Sequence, residues 1–214
     1  DSRISKNQKT IFFVRHGQTE WNAIKRVQGQ WNSDLSKTGE RQAKRNGEFL
    51  EGQGIECLFS SPLERTRQTS EILKHYISLE PIYDSRIMEW DTGHWSGFMW
   101  EEIPKNWPLE YESWRQDPFN FNELGCESYP DMIERANPFV QELKLSKENT
   151  IAVVSHGIIG RVMIGLLLKH SEKEMVSYHQ TNDTIIKVEM SGEKVKASHF
   201  IGGEGPYGGL PGTI

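Results

Sequence analysis

The 214-residue sequence has few cysteines, no long apolar run and no excess of basic residues. Its two cysteines, Cys57 and Cys126, are too few for a disulfide framework and lack the spacing of a zinc site. No stretch approaches the roughly 20 apolar residues that span a bilayer, and no secretory signal peptide is recognisable. The 25 Lys and Arg residues against 30 Asp and Glu disfavour nucleic acid as a partner. These absences predict a reducing, cytoplasmic setting with no membrane association.

The length suits a single α/β domain over residues 1–214, and no internal repeat is found. Two stretches differ from the rest in composition: an aromatic-rich, acidic insertion at about 98–124 and a glycine-rich tail at 202–214, expected to be loose. Residues 1–10 are polar and expected to be frayed. The chain begins at Asp1 rather than Met, which leaves open whether the natural protein extends upstream.

Two distant segments share one pattern, a short apolar run followed by His-Gly. Residues 11–14 run into Arg15 and His16, and residues 151–154 run into Ser155 and His156. Such runs predict buried strands, and in an open α/β sheet ligands bind at the carboxyl ends of the strands. A lone histidine after a strand is usually a surface residue. Two of them, with an arginine beside one, instead indicate a cleft suited to a phosphoryl group.

With these residues the sequence resembles the histidine phosphatase superfamily, which includes the cofactor-dependent phosphoglycerate mutases. The likeness covers about residues 10–170. Further matches lie at Thr19, Asn22, Gly29, Asp34-Leu35-Ser36, Gly39, Ala43-Lys44-Arg45, residues 60–69, Glu89, and Gly125-Cys126-Glu127-Ser128. The resemblance implies a three-layer α/β/α fold with a mostly parallel central sheet.

The resemblance also implies the roles of five residues. His16 is the expected nucleophile, with one ring nitrogen unprotonated and the other donating to a backbone carbonyl. Arg15, Arg65 and a protonated His156 are expected to grip the phosphate oxygens, and Glu89 matches the general acid. Further substrate contacts are expected from Asn22, Gln28, Gly29, Gly157 and Ile158. No metal and no cofactor are implied, because the arginines supply the positive charge.

The remaining histidines and Arg67 lack the family pattern and are expected to lie outside the site. These histidines are His75, His94, His170, His179 and His199.

Local patterns predict several further elements. Ser61 precedes Pro62 and Glu64, which predicts a capped helix start, with Ser61 as the cap and the helix running to about His75. Other helices are predicted over 38–52, 129–143 with a kink at Pro138, and 158–168. Strands are predicted over 55–60 and 82–88, and a hairpin over 183–190 and 193–200.

Departures from the mutase pattern favour a phosphatase. The mutases have an arginine after the catalytic glutamate and a tyrosine two residues further on, where this chain has Trp90 and Thr92. Cys126 stands where a second glycine is common.

A non-catalytic phospho-ligand binding protein is the third alternative, but the complete set of expected catalytic residues disfavours it. The expected partner is a small phosphomonoester, and the oligomeric state, monomer or dimer, is left open.

The insertion at 98–124 holds seven aromatic residues, six acidic residues and only two basic ones. One explanation is a small aromatic core of its own, packed away from the cleft. The other is a lid that lines the cleft and gives it a negative local potential. A lid of that kind predicts a preference for compact monophosphates with an apolar body and poor use of polyanions.

Overall fold

The computed structural model describes residues 8–212, which are built around one seven-stranded sheet. The strands are β1 Gln8–Arg15, β2 Cys57–Ser60, β3 Ile82–Tyr83, β4 Thr150–Ser155, β5 Thr184–Ser191, β6 Lys194–Ile201 and β7 Glu204–Gly208. Their order is β3-β2-β4-β1-β5-β6-β7; the first four are mutually parallel, and each later strand pairs antiparallel to its neighbour. The predicted hairpin is confirmed as β5 and β6.

The two strands that end in His-Gly are neighbours, as predicted. β1 pairs with β4 in parallel, with Arg15 opposite Ser155. His16 and His156 therefore leave the sheet side by side at its carboxyl edge.

Helices cover both faces of the sheet, which confirms the expected three-layer class. They are α1 Glu20–Ile24, α2 Lys37–Glu51, α3 Glu64–Ile77, α4 Ile103–Asn106, α5 Pro108–Gln116, α6 Tyr129–Leu145, α7 Gly157–Leu168 and α8 Glu172–Met175. Side chains alternate along β1. Phe12 and Val14 pack with residues of α2 and α3, while Ile11 and Phe13 pack with residues of α6 and α7.

The helix after β2 starts differently from the prediction. α3 begins at Glu64 with Leu63 as its N-cap and no side-chain cap. Ser61 does not cap it, because its Oγ lies 2.8 Å from His156 Nε2. The segment predicted to be extended over 82–88 keeps only the two residues of β3 and then forms a 3₁₀ turn at Ser85–Ile87.

Both ends of the described chain are more ordered than expected. β1 begins at Gln8, so the expectation of fraying is wrong for residues 8–10, whereas residues 1–7 lie outside the described residues. The tail is not loose over Glu204–Gly208, because these residues pair with β6 as an edge strand. Residues 213–214 also lie outside the described residues.

The aromatic residues of the insertion join the main core instead of forming a separate one. Trp95 is fully buried, and its ring lies 5.1 Å from that of Phe121 and 5.9 Å from that of Trp114. Trp95, Phe119 and Phe121 belong to the same apolar cluster as the sheet residues facing α6 and α7. The insertion is thereby fixed against the sheet beside the strand ends.

Candidate active site

A cleft of about 540 Å³ opens at the carboxyl ends of β1 and β4. It is lined by nine of the predicted site residues: Arg15, His16, Asn22, Gln28, Gly29, Arg65, Glu89, Gly157 and Ile158. The tenth, His156, is 1% exposed and lies behind His16, with 5.2 Å between the ring centroids. The structure thus brings all ten together, although they come from six separate stretches of the chain.

His16 is buried with one ring nitrogen fixed and the other free. Its Nδ1 lies 2.7 Å from the Gly17 carbonyl oxygen, which only accepts, so Nδ1 carries the proton. Burial lowers the pKa of His16 well below its usual value, and Arg65 and Arg15 lower it further. His16 is therefore neutral, and its Nε2 has an available lone pair.

Asn22 and its neighbours fix the loop that carries His16. Thr19 caps α1, and the Asn22 side-chain oxygen accepts from the Thr19 amide at 3.1 Å. Asn182, which no sequence pattern indicated, donates to the His16 carbonyl oxygen at 3.0 Å.

Arg15 and Arg65 are held by carbonyl groups instead of carboxylates. Arg65 is 2% exposed, and its guanidinium donates to the carbonyl oxygens of Trp31 and Gly29. Arg15 donates to the Gln180 carbonyl oxygen at 2.6 Å. The Nε atoms of both arginines are buried without a partner, and within residues 8–212 neither forms a salt bridge.

These two guanidinium groups, of which Arg65 is buried and Arg15 is partly buried, are cations whose charge is not neutralised by a direct partner. Burial lowers the pKa of Arg65 to about 10, an effect that Glu89 partly opposes. An uncompensated buried charge costs several kcal/mol, of the order of 3–5 when one partner of a pair is missing. A bound anion removes this cost, so the pair is arranged to hold a phosphoryl group.

His156 differs from the expectation of a protonated ring. Its Nε2 contacts Ser61 Oγ at 2.8 Å, and its Nδ1 is buried without a partner. Burial lowers the pKa of His156 well below its usual value, with Arg65, His16 and Arg15 lowering it further. His156 is therefore neutral when no anion is bound.

Glu89 lies at the N-terminus of α7, where three backbone N–H groups hold its carboxylate. Trp90 and Ile159 donate to Oε1 at 2.9 Å each, and Ile158 donates to Oε2 at 3.2 Å. A helix N-terminus favours a negative group. The Ile158 amide, expected to contact phosphate, therefore donates to Glu89 in this conformation.

Comparisons with known proteins agree with this geometry. Residues 11–201 match the sequence profile of the histidine phosphatase superfamily, branch 1. The chain belongs to this superfamily. It is 35% identical over 159 residues to phosphoserine phosphatase 1 of Hydrogenobacter thermophilus, covering 74% of this chain and 75% of that protein. It is 33% identical over 163 residues to the probable phosphoglycerate mutase GpmB of Salmonella paratyphi A, covering 74% of each.

The chain is also similar to a phosphatase of known structure. The mycobacterial glucosyl-3-phosphoglycerate phosphatase aligns with a TM-score of 0.77 at 27% identity, covering 85% of this chain and 90% of that one. The chain is accordingly a histidine phosphatase, and the mutase alternative is the weaker one.

A partly buried ion pair positions the segment that carries Glu89 in this histidine phosphatase. Arg135 on α6 bonds Glu127 at 2.8 Å and also donates to the carbonyl oxygens of Met88 and Glu89. Glu127 in turn accepts from the Asp91 amide at 3.0 Å. Glu127 belonged to the family resemblance, but nothing distinguished Arg135 from the other charged residues of a helix surface.

The residues of the insertion that line the cleft do not carry the negative charge that was expected at its mouth. Trp100, Trp114, Arg115 and Pro118 line the cleft, as the lid alternative predicts. None of the six acidic residues of the insertion lines it. The predicted negative potential at the mouth, and with it the predicted aversion to polyanions, therefore loses its structural basis.

Three further residues with charged or titratable side chains line the cleft, although no sequence pattern placed them there: Arg26, Arg161 and His179. His179 was expected to lie outside the site. By contrast, Arg67 faces away as predicted, with its guanidinium 3.9 Å from the Tyr83 ring.

Residues 8–212 contain no three His, Cys, Asp or Glu side chains grouped so that they could hold a metal ion. None of the helices in this part of the chain has the length and apolar character needed to cross a membrane.

Proposed function

We propose that this histidine phosphatase hydrolyses small phosphomonoesters through a phosphohistidine on His16, without a metal ion. The observation that carries the proposal is the neutral His16 ring, with Nδ1 fixed by Gly17 and Nε2 free beside two arginines whose Nε atoms are buried without a partner. Uncatalysed hydrolysis of phosphate monoesters is so slow that enhancements reach ~10²¹. Most of that enhancement has to come from positioning and charge stabilisation.

In the first step, His16 Nε2 attacks phosphorus and the bond to the leaving oxygen breaks. Arg15 and Arg65 stabilise the charge that spreads over the equatorial oxygens. A phosphate dianion beside His156 favours its protonated form, so this ring becomes a third donor once substrate is bound. Glu89 gives a proton to the leaving oxygen, and the product alcohol departs.

In the second step, water attacks the phosphohistidine. Glu89 takes a proton from that water, the P–N bond breaks, and inorganic phosphate leaves with His16 neutral again. Asn22, Gln28, Gly29 and Gly157 line the cleft, and we expect them to contact the bound ester there. Ile158 contributes indirectly, because its amide holds Glu89.

Relatives named for phosphoserine and for glucosyl-3-phosphoglycerate support a small phosphomonoester as substrate. Mutase activity is disfavoured at Trp90, which stands where the mutases have an arginine. Its indole N–H donates to the Glu127 carbonyl oxygen at 2.6 Å, so this side chain has a structural role. The cytoplasmic location and the lack of a nucleic acid partner remain predictions, and no oligomeric state is proposed.

The deciding experiment compares His16→Ala with wild type on a panel of phosphomonoesters in the presence of EDTA. We expect wild type to turn over and the variant to lose at least roughly 10³-fold in kcat, as is usual for a nucleophile. Quenching in base should trap an acid-labile phosphoenzyme in wild type only. His75→Ala, on the exposed face of α3, is the matched control. Wild-type turnover in His16→Ala would disprove the mechanism.

A further inference from the structure

The wall of the cleft holds two cations for which the hydrolytic steps have no use. Arg161 lies on α7 and Arg26 follows α1, and both line the same cleft as Arg15 and Arg65. Within residues 8–212 neither Arg161 nor Arg26 forms a salt bridge. Arginines at a protein surface usually find a carboxylate, whereas these two are partly buried in the wall of the cleft without one.

Arg161 is positioned by two buried tyrosines. Its Nη1 donates to the Tyr129 hydroxyl at 3.2 Å, and its guanidinium lies 6.0 Å from the centre of the Tyr178 ring. Tyr129 and Tyr178 are 6% and 2% exposed. Neutral partners of this kind orient a guanidinium without neutralising it, and the other N–H groups remain available to a ligand.

Arg26 is positioned in the same manner. Its guanidinium lies 5.3 Å from the centre of the Trp21 ring, and its Nε is buried with no hydrogen-bond partner. The backbone of Arg26 bridges to Met99, which joins this arginine to the start of the insertion. Arg26 therefore belongs to the wall that the insertion completes.

The charge of the cleft exceeds what one phosphoryl group neutralises. Five arginines and one glutamate line it. Arg115 pairs with Glu112 at 3.9 Å, so the other four arginines and Glu89 give a formal charge of +3 with neutral histidines. A phosphate dianion leaves one positive charge over, although the whole chain carries −5. Arg161 lies close enough to Arg15 to add to the lowering of its pKa, after burial as the main cause and against the opposing effect of Glu89. Keeping these cations together without a counter-charge is unfavourable.

Given the proposed phosphatase function, on which this step rests, we infer that the leaving-group half of the substrate carries a second anionic group bound by Arg161 and Arg26. A carboxylate and a phosphate share the required chemistry, since both accept two parallel N–H bonds from a guanidinium. Trp100 and Trp114 flank the body of the substrate between the two anions. Arg161 is thus a specificity-determining residue.

The test uses matched pairs of substrates that differ by one anionic group. O-phosphoserine is compared with O-phosphoethanolamine for the carboxylate, and propane-1,3-diol bisphosphate with propyl phosphate for the phosphate. In wild type we expect kcat/KM to favour the more anionic member of at least one pair by tenfold or more. The pair that shows the preference identifies the second anion.

The variants are Arg161→Met, Arg161→Lys and Arg26→Met, with Arg41→Met on the exposed surface of α2 as control. We expect Arg161→Met to reduce the preference at least tenfold, mainly through KM, and Arg161→Lys to keep part of it. Arg41→Met should keep the wild-type preference. Thermal unfolding verifies that each variant is folded.

Two results would overturn the inference: no preference for an anionic member in wild type, or an undiminished preference in folded Arg161→Met. In both cases turnover of propyl phosphate by wild type leaves the proposed function intact. Absence of turnover on every phosphomonoester would instead reject the proposed function.

Discussion

Glu89 combines a fixed position with the chemistry of a proton donor and acceptor. Three backbone N–H groups hold its carboxylate at the start of α7, and the side chain lines the cleft. Such a group acts only where a proton has to move in the transition state, and contributes roughly 10² to 10⁴ in rate. The dependence of its contribution on the leaving group is therefore the measure of its role.

We expect Glu89→Gln to slow the hydrolysis of alkyl phosphates by roughly 10²-fold or more and that of p-nitrophenyl phosphate far less. An alkoxide needs a proton to depart, whereas nitrophenolate leaves as an anion. The measurement is kcat for both substrates in both proteins. Glu123→Gln, an exposed carboxylate of the insertion, is the control. Equal losses on the two substrates would exclude Glu89 as the general acid.

At the scale of elements, the ion pair between Arg135 and Glu127 connects α6 to the segment that carries Glu89. Both side chains are about four-fifths buried, and Arg135 also donates to three carbonyl oxygens of residues 86–89. Breaking one side of a buried pair leaves the other charge uncompensated. The carbonyl oxygen of Glu89 then loses the hydrogen bond that Arg135 donates to it.

We expect Arg135→Met to lower kcat by roughly 10²-fold, because a displacement of about 1 Å at a reacting group has an effect of that size. The KM for a small phosphomonoester should change much less, since Arg15 and Arg65 remain. Lys74→Met is the control, because Lys74 pairs with the exposed carboxylate of Glu80, and such surface pairs contribute about 0–1 kcal/mol. An Arg135→Met protein with wild-type kcat would contradict this role.

The loop after β1 packs backbone to backbone against the start of α2. A Cβ atom on Gly17 would lie 2.2 Å from the Gly39 carbonyl oxygen. That contact explains the glycine next to His16, and a Cβ atom on Gly39 would in turn overlap the Gln18 carbonyl oxygen.

We therefore expect Gly17→Ala to destabilise the protein by about 1–3 kcal/mol, the usual cost of overpacking, and to reduce kcat by moving His16. Gly52→Ala is the control, because nothing lies within 4 Å of the added methyl group. Urea unfolding and kcat are measured on both variants. Similar free energies of unfolding for the two variants would show that the loop accommodates the methyl group of Gly17→Ala without destabilisation.

At the scale of the whole molecule, the strand ends were predictable because each has a local pattern. An apolar run followed by His-Gly occurs twice, and parallel pairing of β1 with β4 brings His16 and His156 together. Ser61 was misjudged for the opposite reason. Its local pattern is that of a helix cap, and its actual partner, His156, lies 95 residues away.

The outer half of the site had no local pattern at all. Arg161 lies in an apolar helix and Arg135 in a charged one. Neither differs in sequence from other helix residues, and only the packing of α6 and α7 shows what these two arginines contact. The composition of the insertion predicts its aromatic character and its negative charge, but not which of its side chains line the cleft. In the fold, Trp100, Trp114 and Arg115 line the cleft and its acidic residues do not.

Burying two neutral histidines makes the stability of the fold depend on pH. The pKa values of His16 and His156 lie well below the usual value, first because of burial and then because of Arg65. As the pH falls below about 6.5, the unfolded chain binds a proton at each ring while the folded protein does not. Above this pH the two rings therefore do not reduce the free energy of unfolding. Below it, the free energy of unfolding decreases as the pH falls toward the pKa values of the two rings in the folded protein.

We expect the free energy of unfolding to decrease by up to about 1.4 kcal/mol per pH unit for each of these two histidines below pH 6.5. Urea unfolding at intervals between about pH 7.5 and 5.5 measures this slope, in a window above the usual range of carboxyl titration. The double variant His16→Gln/His156→Gln should show a flatter profile. His170 and His179, whose pKa values are also lowered by burial, contribute equally to both proteins and cancel in the comparison. Parallel profiles for wild type and the double variant would mean that folding does not lower the pKa values of the two rings, which would contradict the burial of two neutral histidines.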